Sequence, residues 1–332
     1  MTTDGDVQCR DLSGALHRVR LTDLGPFSSP ASTLHQRLVT GPNDVPFLCK
    51  SVPREDGRRD PRRYQVLDNE IRVLAHLTRV FGGRIGELPA LAGYNVDADE
   101  PFALLSRYVG QPAPEVVRVL DQDRKRHFQI GLLRALHLIG EAGVVHGALS
   151  LDALRWNGSI VQLVDFESAQ MAGEPRRPGT GPRQSPERRQ GSGAADPRDD
   201  VWSAGVLIRE LVIGPQALAA PADQHADPER LRERLNGVFH PVEHRPPAAE
   251  LLRRLHVAAP AVPPPDPQDG LADGYRMFDE ACRRKTGAPP PGVPPTAAPP
   301  PGRGGAPRHG RRGWRRLPFA GLFGLLAKAG PR

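Results

Sequence analysis

VVHGALSLDALRWNGSIVQLVDFESAQ, residues 144–170, is the stretch from which the rest of this chain can be read. Val144 and Val145 open it as an extended apolar run, and a loop with one histidine, His146, follows. A short hairpin comes next, and a second apolar run ends in Asp165-Phe166-Glu167. Directly upstream, residues 124–142 place Phe128, Ile130, Leu133, Leu136 and Ile139 at helical spacing, and Gly143 supplies a stop. A long amphipathic helix is therefore expected to deliver the chain to His146.

That layout resembles the catalytic core of protein kinases, where a His-Arg-Asp loop is followed by a hairpin and then Asp-Phe-Gly. Against that pattern, the arginine position is Gly147 and the catalytic aspartate position is Ala148. The lysine position is Ser150 and the metal-binding asparagine position is Ala153. Aminoglycoside and choline phosphotransferases also share a histidine loop followed by an aspartate strand. The downstream chain favours the protein kinases. Gly179-Thr180 through Ser185-Pro186-Glu187 resembles the end of a kinase activation segment, with Arg183 where a tyrosine is usual. Asp200-Val201-Trp202-Ser203-Ala204-Gly205 resembles the start of the large helix of the second lobe, and His244-Arg245-Pro246 the late arginine motif. The resemblance implies that His146, Glu187, Asp200 and Arg245 support the fold, with Glu187 and Arg245 as a buried ion pair.

Upstream, residues 21–39 read as two strands joined by a loop, and residues 45–52 as an apolar strand containing Lys50. Alone, such a lysine reads as a residue of the solvent face. Residues 64–80 carry Val66, Ile71, Leu74 and Leu77 at helical spacing, with Glu70 beside the stripe. In the kinase resemblance Lys50 and Glu70 become the pair that orients phosphates, and the first loop becomes the glycine-rich loop. Gly25 matches its first glycine, but Phe27 and Pro30 stand at the other two. Residues 90–95 and 102–108 read as further strands, and Ser106 to Gly110 resembles the hinge between lobes. Ser106 would lie at the back of an adenine pocket and Tyr108 on the hinge. Asp165 would be the one remaining metal ligand, and Glu167, in the glycine place, reads as a solvated surface residue. Asp152 is the nearest carboxylate that a rearranged loop could bring in for Ala148.

Composition separates a body from a tail. The chain has 332 residues, 37 prolines, 35 glycines and a formal charge of +7. Residues 301–332 hold eight basic and no acidic side chains, so residues 1–300 carry 37 basic against 38 acidic groups, a net −1. A body so balanced lacks the basic face of a nucleic-acid binder. Cys9, Cys49 and Cys282 suggest neither a disulfide framework nor a zinc site. The polar start MTTDGDVQCRDL has no apolar signal core, which points to a cytoplasmic body. From residue 258 the composition turns to proline, glycine and alanine, the mark of extended, disordered segments. Between them, residues 270–285 read as a short helix presenting Leu271, Tyr275, Met277 and Phe278. At the end, the apolar run 317–327 is too short to span a bilayer, and Arg311, Arg312, Trp314, Arg315, Arg316 and Lys328 flank it. That pattern suits contact with an anionic membrane surface through residues 313–328, at the inner face of the membrane, a protein docking segment, or a disordered basic tail.

The expectation is thus an α+β, two-lobed, protein-kinase-like fold, with a small β-rich first lobe and a mainly helical second lobe. Its boundaries fall at 15–108 and 109–256, after an extension 1–14 and before a Pro/Gly-rich linker 257–312 and a terminal segment 313–332. The resemblance, of bacterial Ser/Thr type, implies a pseudokinase that signals by binding protein partners, an active kinase among them. Lys50, Glu70, Asp165, Gly25, Ser106 and Tyr108 would form a remnant site for weakly held ATP and Mg, neither of them required. The rival is an active Ser/Thr kinase with an unorthodox catalytic loop.

Overall fold

In the computed structural model, residues 5–219, 222–225 and 227–263 are described. The predicted tail helix at 270–285, most of the linker and the segment at 313–332 lie outside them.

The first lobe is a closed six-stranded barrel: β1 (Gly5–Arg10), β2 (Leu16–Pro26), β3 (His35–Thr40), β4 (Pro46–Ser51), β5 (Leu91–Asn95) and β6 (Phe102–Ser106). The strand order is β1-β2-β3-β4-β6-β5. The expected extension 1–14 therefore contributes a strand: β1 pairs with β2 along its whole length, and Arg10 meets Tyr94 of β5 to close the barrel. Closure removes the sheet edges that would otherwise invite pairing with another chain. The barrel interior is small and apolar, built from Cys9, Val19, Leu21, Val39, Cys49, Phe102 and Leu104. Strand periodicity sorts β4: Phe47 and Cys49 pack in that interior, while Leu48 joins the main core on the opposite face. Lys50, two residues from Leu48, lies on that same face and is wholly buried. Burial raises the Cys9 and Cys49 thiols to about 11 and about 12, so both are protonated at neutral pH.

After β4 come α1 (Arg54–Arg59) and α2 (Arg62–Phe81). Helix α2 buries Leu67, Ile71, Leu74, Leu77 and Phe81 and ends at Gly82 in the left-handed conformation. Leu67, not the expected Val66, completes the stripe; Val66 is half-buried.

The second lobe is mainly helical. β7 (Gln111–Pro112) and α3 (Ala113–Val116) lead to α4 (Gln122–Glu141), capped by Asp121, whose carboxylate accepts from the Arg124 amide at 2.8 Å. β8 (Val144–Val145), β9 (Leu154–Trp156), β10 (Val161–Leu163) and β11 (Gln170–Met171) frame the opening stretch as two small sheets, β10-β9-β7 and β11-β8. α5 (Pro186–Gln190), α6 (Arg198–Ile213), α7 (Glu229–Arg234) and α8 (Ala248–Arg254) complete it. Helix α6 is buried at every position from Asp199 to Arg209, its charged residues Asp199, Asp200 and Arg209 included. One continuous core runs from α2 through α4 to α8. The linker predicted to begin at 257 starts as chain packed on this core: Val257, Ala259 and Val262 touch it, and Pro260 lends its carbonyl to His137 at 3.1 Å. Among the described residues no helix is long and apolar enough to cross a membrane.

Candidate functional site

The site is organised by Lys50. Its ammonium lies 2.8 and 2.9 Å from the two Glu70 oxygens, 2.7 Å from Asp165 Oδ1 and 3.3 Å from Glu167 Oε1. Burial alone would lower the lysine, but the surrounding carboxylates, Glu70 foremost, outweigh it and hold it charged well above the usual range. Glu70 is pushed by burial up to about 7 despite its partner. One buried cation thus faces three carboxylates, an imbalance a protein interior accepts only if other donors reach them.

Those donors are hydroxyls and amides. Asp165 sits in the left-handed region (φ 62°), which separates its carboxylate from Phe166 behind it. Asp165 Oδ1 accepts from Tyr108 at 3.0 Å as well as from Lys50, and Oδ2 accepts from Ser29. Glu167 is buried, a correction to its reading as a solvated residue. Its oxygens accept from Ser32, from the Thr33 amide at 2.9 Å and from the Thr33 hydroxyl at 2.8 Å. Asn69, beside Glu70 on α2, donates to the Glu167 and Ala169 carbonyls at 3.1 and 2.9 Å, tying the helix to this turn.

Ser29, Ser32 and Thr33 all come from the loop at residues 27–34, between β2 and β3. This loop folds inward over Asp165 and Glu167. Phe27 caps it, edge-on to Tyr108 with ring centroids 5.9 Å apart and with the Arg155 guanidinium 5.6 Å over its ring. Tyr108 accordingly points inward to Asp165, and burial raises its phenol well above the usual range. The Val109 amide, also on the hinge, donates to Gln162 at 2.8 Å. Ser106 is not in the cluster: its hydroxyl accepts from the Ala90 amide at 2.9 Å. Gly25 lies at an irregularity of the β2–β3 pairing, outside the cluster, with its amide donating to Asp23 at 3.0 Å.

Below the cluster, His146 is fully buried, donates through Nε2 to the Val164 carbonyl at 2.9 Å and packs edge-on against Phe166. Burial lowers it to about 4, so the ring is neutral at neutral pH. Asp200 binds the His146 and Gly147 amides at 2.6 and 2.9 Å. Gly147 is left-handed (φ 71°), and a Cβ there would lie 2.2 Å from the Arg188 guanidinium. Arg188 thus brings a cation to the loop that lacks the expected arginine, bonding Gln170 at 2.8 Å and the Ser168 carbonyl at 3.1 Å. Gln184 donates to the Gly147 carbonyl at 3.1 Å. Arg245 meets both Glu187 oxygens at 3.0 and 3.1 Å, lies 3.7 Å from Asp199 and stacks over Trp202 at 5.1 Å. Asp152 is exposed in the turn Leu151–Ala153, outside the cluster.

The structure therefore brings together Lys50, Glu70, Asp165 and Tyr108, and leaves Gly25 and Ser106 apart. Reading from sequence missed Ser29, Ser32, Thr33, Asn69, Arg188 and the buried role of Glu167. One signal was available: the loop that should be rich in glycine is instead rich in hydroxyls, SSPAST.

The residues do not fit a pair of magnesium ions. Both Asp165 oxygens hold protein donors, the Ala153 methyl offers no lone pair, and among the described residues no group of three or more His, Cys, Asp or Glu could hold a metal ion.

No protein-family model matches the sequence, and no curated protein matches it. Among solved structures, the chain is similar to the kinase PK-1 of Cydia pomonella granulovirus. The TM-score is 0.52 at 15% identity, over 70% of this chain and 93% of the viral one. The chain has a kinase-like fold.

Proposed function

We propose that this chain is a pseudokinase: a kinase-like signalling protein that acts by binding protein partners, as a scaffold or as the regulator of an active kinase. The observation that carries this reading is the set of side chains around Asp165. Phosphoryl transfer needs positioned metal ions, a cation on the transferring group and a residue that orients the accepting hydroxyl. Ala148, Ser150 and Ala153 supply none of these, and the Asp165 carboxylate is occupied by Lys50, Tyr108 and Ser29. Loss of several positioned groups lowers turnover by orders of magnitude, without simple additivity. ATP binding is weak and is not required for this role. Contact with an anionic membrane surface is assigned to residues 313–328, where basic side chains flank an apolar run.

The intact Lys50–Glu70 pair favours a second reading, an active Ser/Thr kinase that uses Lys50, Asp165 and a rearranged Asp152. A radiolabelled ATP transfer assay decides between them, with Lys50→Met and Asp165→Asn variants as controls whose folding is checked by thermal melting. The pseudokinase reading expects no label on self or on added protein acceptors. Transfer that a folded Asp165→Asn variant loses would establish the active kinase instead.

A further inference from the structure

We propose that Glu167 and the loop at residues 27–34 form a latch that seals the cleft between the lobes. The resting chain keeps the phosphate region for its own side chains and admits a nucleoside triphosphate only when the latch opens. This rests on the reading of the cleft as a remnant nucleotide site.

Three observations converge on it. The first is chemical. Glu167 brings a buried carboxylate to a position where the resemblance has a glycine. Its side-chain partners are Lys50 and three donors of this one loop, the Ser32 hydroxyl and the Thr33 hydroxyl and amide. Bonds to an ionised acceptor are the strong class of hydrogen bond, and three from adjacent residues fix a loop in register. The second is steric. Ser29 reaches Asp165, and Phe27 covers Tyr108, so the loop lies where a phosphate chain and its sugar would enter. Pro30 removes one backbone amide that a phosphate could have used. The third is electrostatic. Lys50 already faces three carboxylates, and a triphosphate added to that cluster meets repulsion in a low-dielectric interior. Latch and ligand therefore exclude each other. By population arithmetic, a cleft open about one per cent of the time weakens apparent affinity about a hundredfold.

Two variants test the latch from opposite sides. Glu167→Gly removes the acceptor; Ser32→Ala/Thr33→Val removes the two loop hydroxyls that reach Glu167, at one half-buried and one exposed position, and so preserves folding if the glycine variant does not. Amide hydrogen exchange across residues 27–34 should quicken at least about tenfold in each folded variant. Trinitrophenyl-ATP, titrated by fluorescence without added magnesium, should bind at least about tenfold tighter than to wild type, a shift equivalent to about 1.4 kcal/mol. Wild-type exchange in the folded variants would overturn the latch. Freed loops with unchanged probe binding would overturn its gating of the nucleotide. Phosphate transfer by the wild-type protein would instead refute the pseudokinase reading and leave the exchange result standing.

Discussion

Two buried charge clusters adjoin the His146 loop, and they are balanced differently. In the second lobe Glu187, Asp199 and Asp200 face Arg176, Arg188 and Arg245. Arg176 lies 2.9 Å from Asp199, Arg245 lies 3.0 Å from Glu187, and Asp200 is held by two backbone amides with Arg188 nearby. Anion and cation are matched one to one. Between the lobes, Lys50 alone faces Glu70, Asp165 and Glu167, and hydroxyls of Ser29, Ser32, Thr33 and Tyr108 make up the deficit. A matched cluster is what a fold needs to hold a helix against a loop. An unmatched one is costly to bury unless other donors reach its surplus carboxylates.

The comparison can be broken most forcefully at its two central cations. Removing Arg245, whose side chain is fully buried, leaves Glu187 with the Val242 amide at 3.0 Å but no cation, so Arg245→Ala should lose about 3 kcal/mol. Glu187→Ala should lose less, since Arg245 keeps the Arg198 and His240 carbonyls at 2.9 and 3.0 Å. Chemical denaturation reads both, and an Arg245→Ala curve superposing on wild type would refute the pairing. Lys50→Met should lose a similar amount at pH 7.5 but recover part of it at pH 5.5. The sign follows from Glu70, already raised to about 7 in the folded state from an ordinary 4.5. A carboxylate with a raised folded value contributes stability that is present at low pH and lost as pH rises through the folded value. Without the lysine its value rises further, so acid should relieve this variant. Arg245→Ala should show little such relief down to pH 5.5, because half-buried Glu187, held below the usual carboxylate value while Arg245 is present, only moves back towards it. Equal pH response in the two variants would erase the distinction between the clusters.

Half of the matched cluster, Glu187, Asp200 and Arg245, was legible in the sequence, and the reason is local; the Arg176–Asp199 pair was missed. Ser185-Pro186-Glu187, Asp200-Val201-Trp202 and His244-Arg245-Pro246 are short contiguous patterns, and each delivers its charge from a fixed place on a helix or turn. The Lys50–Glu70 pair was legible for the same reason, a strand followed by a helix. The latch was not. Its contacts join residues more than a hundred positions apart, such as Ser32 with Glu167, through a loop whose path depends on packing. A glutamate after Asp-Phe looks like a surface residue until donors 134 positions away are found to bury it. Arg188 escaped similarly, because its role depends on Gly147 leaving room for it.

His146 offers a smaller test. Burial lowers it to about 4 from an ordinary 6.5, so between those values the unfolded chain binds a proton that the folded chain refuses. Its contribution is lost as pH falls below 6.5, at up to about 1.4 kcal/mol per pH unit. Glu70 and Asp200, raised by burial to about 7 and about 6, act in the opposite sense and flatten the wild-type profile. The difference between wild type and His146→Gln isolates the imidazole. Glutamine can still donate to the Val164 carbonyl but cannot titrate, so the variant should gain on wild type by about 2 kcal/mol between pH 6.5 and 5. Parallel stability profiles across that window would show that the ring is not buried neutral.

The smallest expected effect tests where the missing arginine went. Gly147→Ala places a methyl group in a left-handed backbone and against the Arg188 guanidinium, at 2.2 Å in the unrelaxed geometry. The backbone term alone is about 1–2 kcal/mol, and displacing Arg188 from Gln170 and Ser168 adds to it. Arg188→Ala removes the obstruction but also the cation beside Asp200. If the two residues share one space, the double variant should be less destabilised than the sum of the singles, by about 1 kcal/mol in a thermodynamic cycle. Strict additivity would mean that Arg188 yields freely and that its position beside Gly147 is incidental. A coupling of the expected sign would tie α5 to the His146 loop through a side chain that Gln170 and the Ser168 carbonyl hold in place.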